Sequence, residues 1–125
     1  MQHSSLISFL NGEKSPNELW REIETEVTEC MTAATTLGCV GHVIITDGPH
    51  TIINRRHVDV LVGRLADGIL PVQAAAYIAD ALIMSDDFDF AEDGVSEILF
   101  LLSDESAPLS REDVQALRSR LSTGA

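Results

Sequence analysis

Apolar residues recur at spacings of three and four along most of this chain, and no other feature constrains its fold as strongly. This spacing places them on one face of an α-helix, a face that is buried by packing against other helices. The predicted apolar face of the longest such segment consists of Leu19, Ile23, Val27, Cys30, Met31 and Ala34. Shorter segments with the same spacing lie at residues 58–65, 72–83, 95–102 and 114–121.

Helix boundary signals separate these segments. Ser15 precedes a proline at the first helical position and has Glu18 three residues later, which is the pattern of a capping box. Ser110 and Asp113 repeat that pattern, and Leu109 can form a hydrophobic staple with the start of the last helix. The remaining signals are Asn11-Gly12, Asn54, Asp67-Gly68 and Pro71. The sequence therefore predicts a mostly α fold, with five to six short helices around one core, in a single helical domain over residues 1–125.

One segment has the composition of β-structure instead. Residues 42–46 and 51–53 are rich in Val, Ile and Thr, and they flank the sequence Asp-Gly-Pro-His at 47–50. Two β-branched runs around such a turn predict a small β-hairpin inserted between helices. A two-stranded hairpin is marginally stable in water, so we expect it to pack on the helices or to pair with another edge. Pairing through that edge would give a weak homodimer.

The composition limits the kind of partner. Hydrophobic residues make up 45% of the chain and aromatic residues only 5%, which indicates an aliphatic core. The 20 acidic and 8 basic residues give a net charge of −12. Such an acidic surface repels nucleic acid and anionic membranes, and it favours a basic protein partner. The first residues lack the basic region and the long apolar run of a signal peptide, so we expect a cytoplasmic protein.

Residues able to bind a metal or act as nucleophiles do not form a recognised motif. Zinc sites use ligand pairs two to four residues apart, and only Cys39 and His42 approach that spacing. The acidic residues 86–93 do not match a calcium-binding loop, and no nucleophile elbow, P-loop or dinucleotide-binding pattern is present. We therefore predict no enzyme, no cofactor and no metal, and keep a small metal-dependent hydrolase as an alternative. The possible soft ligands are Cys30, Cys39, His42, His50 and His57.

Two acidic clusters are candidates for contacting a partner. The first, the helix stripe, has spacings of four, four and three, which place its members along one helix face. It consists of Glu18, Glu22, Glu26 and Glu29. The second, the acidic loop, spans residues 86–93, and its predicted contact residues are Asp86, Asp87, Phe88, Asp89, Glu92 and Asp93. We favour the loop, because loops present side chains with fewer packing constraints, and an ordinary solvated helix face is the alternative for the stripe.

The two phenylalanines of the acidic loop have two possible roles. Phe88 and Phe90 alternate with acidic residues, so one or both rings can anchor the loop to the core. A ring that is exposed would instead offer an aromatic contact inside an acidic rim. The sequence leaves open whether the loop and the helix stripe form one surface.

The order of segments between residues 43 and 121 resembles that of a bacterial protein family. The segments are TIINRRH at 51–57, LPVQAAAYIAD at 70–80, DDFDF at 86–90, EILFLL at 97–102 and APLSRED at 107–113. This layout is similar to that of small immunity proteins of polymorphic toxin and contact-dependent growth inhibition systems. These proteins combine an alanine-rich helix, a short acidic linker and a Pro-Leu start to the last helix. The resemblance implies a tight inhibitor of one cognate toxin, often a nuclease, and it implies no catalytic residues.

Charge and resemblance together predict an immunity protein that binds and neutralises a basic toxin domain through an acidic surface. Carboxylates can occupy the phosphate-binding cleft of a nuclease, because both groups accept hydrogen bonds from Lys and Arg. A generic acidic adaptor or regulatory subunit that binds an ordinary cellular protein is the main alternative.

Overall fold

Six helices and two short strands make up the described part of the chain. The computed structural model describes residues 1–35, 45–103 and 110–123. In chain order the elements are α1 (His3–Leu10), α2 (Pro16–Thr35), β1 (Thr51–Ile53), α3 (Arg55–Ala66), α4 (Val72–Met84), β2 (Phe88–Phe90), α5 (Asp93–Ser103) and α6 (Arg111–Thr123). The predicted mostly α fold is confirmed.

The central helix of the fold is α4, which is buried along most of its length. Ala74, Ala75 and Ala79 are at most 1% exposed, and their small side chains let neighbouring helices approach closely. α5 packs most extensively on α4, and α2 and α3 also contact it. All eight elements contribute to one hydrophobic cluster. Its largest fully buried members are Leu6, Phe9, Leu10, Leu19, Ile23, Val27, Ile53, Leu61, Leu70, Ile78, Leu82 and Leu99.

The predicted apolar face of α2 is correct where the structure describes its side chains. Leu19, Ile23 and Val27 are fully buried, and Cys30 is partly buried against the core. The side chains of residues 31 and 34 lie outside the described set. Three turns of α2 therefore pack inward as their spacing indicates.

The predicted caps form at the starts of α2 and α6. The Ser15 hydroxyl accepts a hydrogen bond from the Glu18 backbone N–H at 3.2 Å. The Ser110 N–H donates to the Asp113 carboxylate at 2.9 Å, and the Asp113 N–H donates to the Ser110 hydroxyl at 3.1 Å. The first of these bonds lowers the pKa of Asp113, because the Ser110 N–H stabilises the charged form of the carboxylate. Leu109, the predicted staple residue, lies outside the described residues.

The predicted hairpin is wrong in its strand pairing. Thr51–Ile53 forms a strand, but it pairs in parallel with Phe88–Phe90. Residues 45 and 46 of the predicted first arm are in no strand, and residues 42–44 lie outside the described part of the chain. Parallel strands need a long crossover connection, which α3 and α4 supply here. The predicted acidic loop at residues 86–93 therefore contains the second strand.

Side chains alternate across this short sheet, as they do along any strand. Ile53 and Phe88 are 0% and 5% exposed and face the core, whereas Ile52 and Asp89 face outward. The prediction that a phenylalanine anchors the acidic loop is confirmed for Phe88. Its ring was also a predicted partner contact, and its burial removes it from the surface.

Replacing Phe88 with alanine should lower the free energy of unfolding by about 3–5 kcal/mol, because the variant loses a buried ring and leaves a cavity. Phe100 is the matched control, since it is 56% exposed on the outer face of α5. Phe100→Ala should change stability by no more than about 0.5 kcal/mol. Denaturant unfolding followed by circular dichroism measures both variants, and equal losses would contradict the assignment of Phe88 to the core.

Candidate functional site

Residues 45–50 form neither helix nor strand, yet they are fixed against the start of α1. The Thr46 N–H donates to the Met1 carbonyl at 3.0 Å. The Thr46 hydroxyl accepts a hydrogen bond from the His3 N–H, also at 3.0 Å. The start of the chain therefore holds the beginning of this segment in place through two backbone groups.

A stacked pair of rings joins α1, this segment and β2. His3 is 3% exposed, and its imidazole stacks on Phe88 with ring centroids 4.8 Å apart and planes 3° from parallel. Gly48 approaches the same imidazole so closely that a Cβ atom there would lie 2.3 Å from His3 Cγ. Residue 48 must therefore lack a side chain for the segment to pass over the ring.

Most carboxylates of the acidic loop have partners within the same chain. The backbone carbonyl of Asp87 accepts a hydrogen bond from the Thr51 N–H at 2.8 Å, which ties this residue to β1. Asp86 and Asp93 are exposed. The carboxylate contacts are Asp87 with the Gly48 N–H at 3.0 Å, Asp89 with the His50 ring at 2.8 Å, and Glu92 with Arg55. The loop is thereby held to residues 48–55 and is not a free connection.

A depression of about 420 Å³ opens where residues 45–47 meet the end of α4. We call it the Met84 depression, because Met84 is 67% exposed beside it. Three aspartates and no basic side chain of the described residues line it. Its lining residues are Ile45, Asp47, Ala81, Met84, Ser85, Asp86 and Asp87. An apolar contact next to three carboxylates suits a long cationic side chain, whose stem is apolar and whose end is charged.

The helix stripe is only partly available for contact with a partner. The Glu26 carboxylate lies 2.7 Å from the α-amino group of Met1, and Glu22 forms an ion pair with Lys14. The hydrogen bond from Lys14 lowers the pKa of Glu22, because it stabilises the carboxylate. The remaining members of the stripe, Glu18 and Glu29, are exposed. The four glutamates are thus not equivalent.

The stripe and the acidic loop each border a part of residues 45–47. A second depression, of about 360 Å³, is lined by Glu22, Glu26 and Thr46 together with Met1, Gln2 and Ser5. Residues 45 and 47 line the Met84 depression, so successive residues of one segment line the two depressions. We refer to Asp47, Asp86 and Asp87 of the first depression, together with Glu22 and Glu26 of the second, as the acidic surface.

Sequence reasoning missed three residues of this region, namely His3, Asp47 and Met84. Asp47 belongs to the predicted turn, and its proximity to Asp86 depends on the parallel pairing of the strands. Met84 lies four residues after Asp80, which is about one helical turn. The position of this charged residue could have indicated that Met84 lies on the less buried side of α4. No sequence signal pointed to the stacking of His3.

The metal-binding alternative concerns residues that the structure does not describe. Cys39 and His42 lie between residues 35 and 45, outside the described ranges. Across the described ranges, no group of three or more His, Cys, Asp or Glu side chains is arranged to bind a metal ion. In the same ranges, no helix combines the length and apolar character needed to cross a bilayer.

Comparisons with known proteins do not assign a family. No family model matches the chain, and neither a curated protein nor a solved structure matches it. The function is therefore argued from the geometry and charge of the acidic surface.

Replacing Gly48 with alanine should lower the free energy of unfolding by about 1–3 kcal/mol, because the added methyl group pushes the His3 ring away from Phe88. Gly94→Ala is the control, since a Cβ atom there meets nothing within 4 Å and the residue lies in α5. That variant should be as stable as the parent or slightly more so. A Gly48→Ala protein with unchanged unfolding would show that the segment does not pass over the imidazole as described.

Proposed function

We propose that this chain is an immunity protein that binds a basic bacterial toxin domain through its acidic surface and neutralises it. The observation that carries the proposal is the Met84 depression, where an exposed thioether lies among three carboxylates with no basic residue in the described lining. The net charge of −12 and the resemblance to small immunity proteins support the same proposal.

Binding would begin with long-range attraction between the acidic chain and its basic partner. Opposite fields raise the rate of encounter and orient the two proteins before contact. This chain's own carboxylates are partly preorganised, because the Gly48 N–H holds the Asp87 side chain in place. Preorganised groups lose less conformational entropy when a complex forms.

At contact, a Lys or Arg side chain of the partner would enter the Met84 depression. Its charged end would meet Asp47, Asp86 and Asp87, and its aliphatic stem would pack against Met84. Basic residues that bind phosphate in a nuclease cleft have the geometry to bind carboxylates as well. A partner held in this way has its cleft occupied and cannot take up nucleic acid.

Co-expression in a bacterial host tests this function directly. The panel should contain several basic toxin domains, including any encoded directly upstream of this chain's reading frame. We expect the chain to restore growth against one toxin and against no other. An adaptor for an ordinary cellular protein would restore growth against none, and that outcome would contradict the proposal.

Reversing charge at the Met84 depression should slow association with the toxin that the chain neutralises. The change is Asp47→Lys combined with Asp86→Lys, since both residues are exposed. The expected loss is about tenfold or more in association rate, larger at low salt, with little change in stability. Stopped-flow measurements at two ionic strengths, together with thermal unfolding, record these effects.

The matched control is Glu24→Lys combined with Asp59→Lys, two exposed acids outside the acidic surface. It changes the net charge by the same amount and should slow association much less. Equal slowing by the two double variants would mean that overall charge, and not the Met84 depression, governs binding.

A further inference from the structure

His57 connects the start of α3 to the end of α1 through both of its ring nitrogens. Its Nδ1 accepts a hydrogen bond from the Asn54 backbone N–H at 3.2 Å. Its Nε2 lies 3.2 Å from the side-chain Oδ1 of Asn11, the C-cap residue of α1. The Asn54 side chain also accepts from the His57 backbone N–H at 3.2 Å, which completes a capping box.

These contacts fit one protonation state of the imidazole. Nδ1 must keep its lone pair in order to accept from Asn54, and Nε2 must carry a hydrogen in order to donate to Asn11. The neutral tautomer with hydrogen on Nε2 meets both conditions. Protonation adds a hydrogen to Nδ1, so that two donors then face each other at the start of α3.

We propose that Asn11, Asn54 and His57 form a pH-sensitive latch between α1 and α3, closed when the imidazole is neutral and open when it is protonated. Protonation makes the ring turn away from the Asn54 N–H. This turn also moves Nε2 away from the Asn11 side chain. The side-chain contact between the end of α1 and the start of α3 is then lost, while Phe9 and Leu10 stay packed in the core. The start of the same helix carries His3, which packs beneath the segment that lines the acidic surface.

The surroundings of His57 oppose a positive charge on its ring. Arg56, the preceding residue in the chain, is itself positive, and Asn11 is uncharged. α1 has no acidic or basic residue apart from His3 near its opposite end, and His57 takes part in none of the ion pairs of the described residues. The charged residues of the other helices that pack on α3 are Asp80 on α4, Asp93 and Glu97 on α5, and Arg111, Glu112, Asp113, Arg118 and Arg120 on α6.

Stability should therefore fall in mild acid. Burial, followed by the charge of Arg56, lowers the pKa of His57 below its ordinary value of 6.5. The folded chain then binds the proton less tightly than the unfolded chain does. The contribution of the latch is complete above pH 6.5 and declines as the pH falls through 6.5 towards the lower pKa of the folded state.

Two variants of the full chain test the latch. Thermal unfolding between about pH 8 and pH 5.5, where carboxylates of ordinary pKa stay ionised, should show a falling midpoint in the parent protein. Glutamine at residue 57 can accept from the Asn54 N–H at any pH, so His57→Gln should lose about half or more of that pH dependence. Asn11→Asp places a carboxylate opposite Nε2 and should raise the pKa of His57 by about one unit in a proton NMR titration.

His50→Gln is the matched control, because His50 is exposed and its partner is Asp89 on the outer face of the sheet. This variant should keep the decline of the unfolding midpoint in acid. The latch is refuted if His57→Gln retains the pH dependence of the parent protein, or if Asn11→Asp leaves the pKa of His57 unchanged. The NMR titration of Asn11→Asp still tests the contact on which the latch depends if the variant at residue 57 folds poorly, and an unchanged pKa refutes it.

Discussion

The fold depends on the close packing of helices around α4, in a core with very few large aromatic side chains. Ala74, Ala75 and Ala79 occupy positions where a larger residue would separate α4 from its neighbours. Because α4 is held on several sides, its last turn is fixed as well. The position of Met84, and with it the depression that the end of α4 helps to line, follows from this packing.

The carboxylates of this acidic chain differ in what they contact. A net charge of −12 opposes the compact state through self-repulsion. Glu26 offsets part of it by pairing with the Met1 ammonium group, and Asp87 is stabilised by the Gly48 N–H. Asp47 and Asp86 remain exposed at the Met84 depression. At the Met84 depression, an acid that stabilises the fold and two acids proposed to bind a partner therefore line the same site.

Helices were predictable from the sequence because their signals are local. Capping residues such as Ser110 and the apolar spacing of α2 act within one or two turns, so no tertiary information is needed. The pairing of β1 was not predictable in the same way, because its partner lies beyond two helices, in a segment whose aspartates have low strand propensity. Asp86 and Asp87 are neighbours in the sequence itself, but the proximity of Asp47 to Asp86 arises only from that distant pairing.

The crossover between β1 and β2 also determines at what stage of folding the Met84 depression forms. Residues 45 and 47 form one side of the Met84 depression, and residues from the end of α4 to Asp87 form the other. The two sides meet only when the chain between them, which includes β1, α3 and most of α4, has folded back and β1 has paired with β2. A nascent chain still emerging from the ribosome before β2 is released cannot display this depression. The depression is thereby tied to the pairing of β1 with β2, and a chain that stops before β2 does not present it assembled.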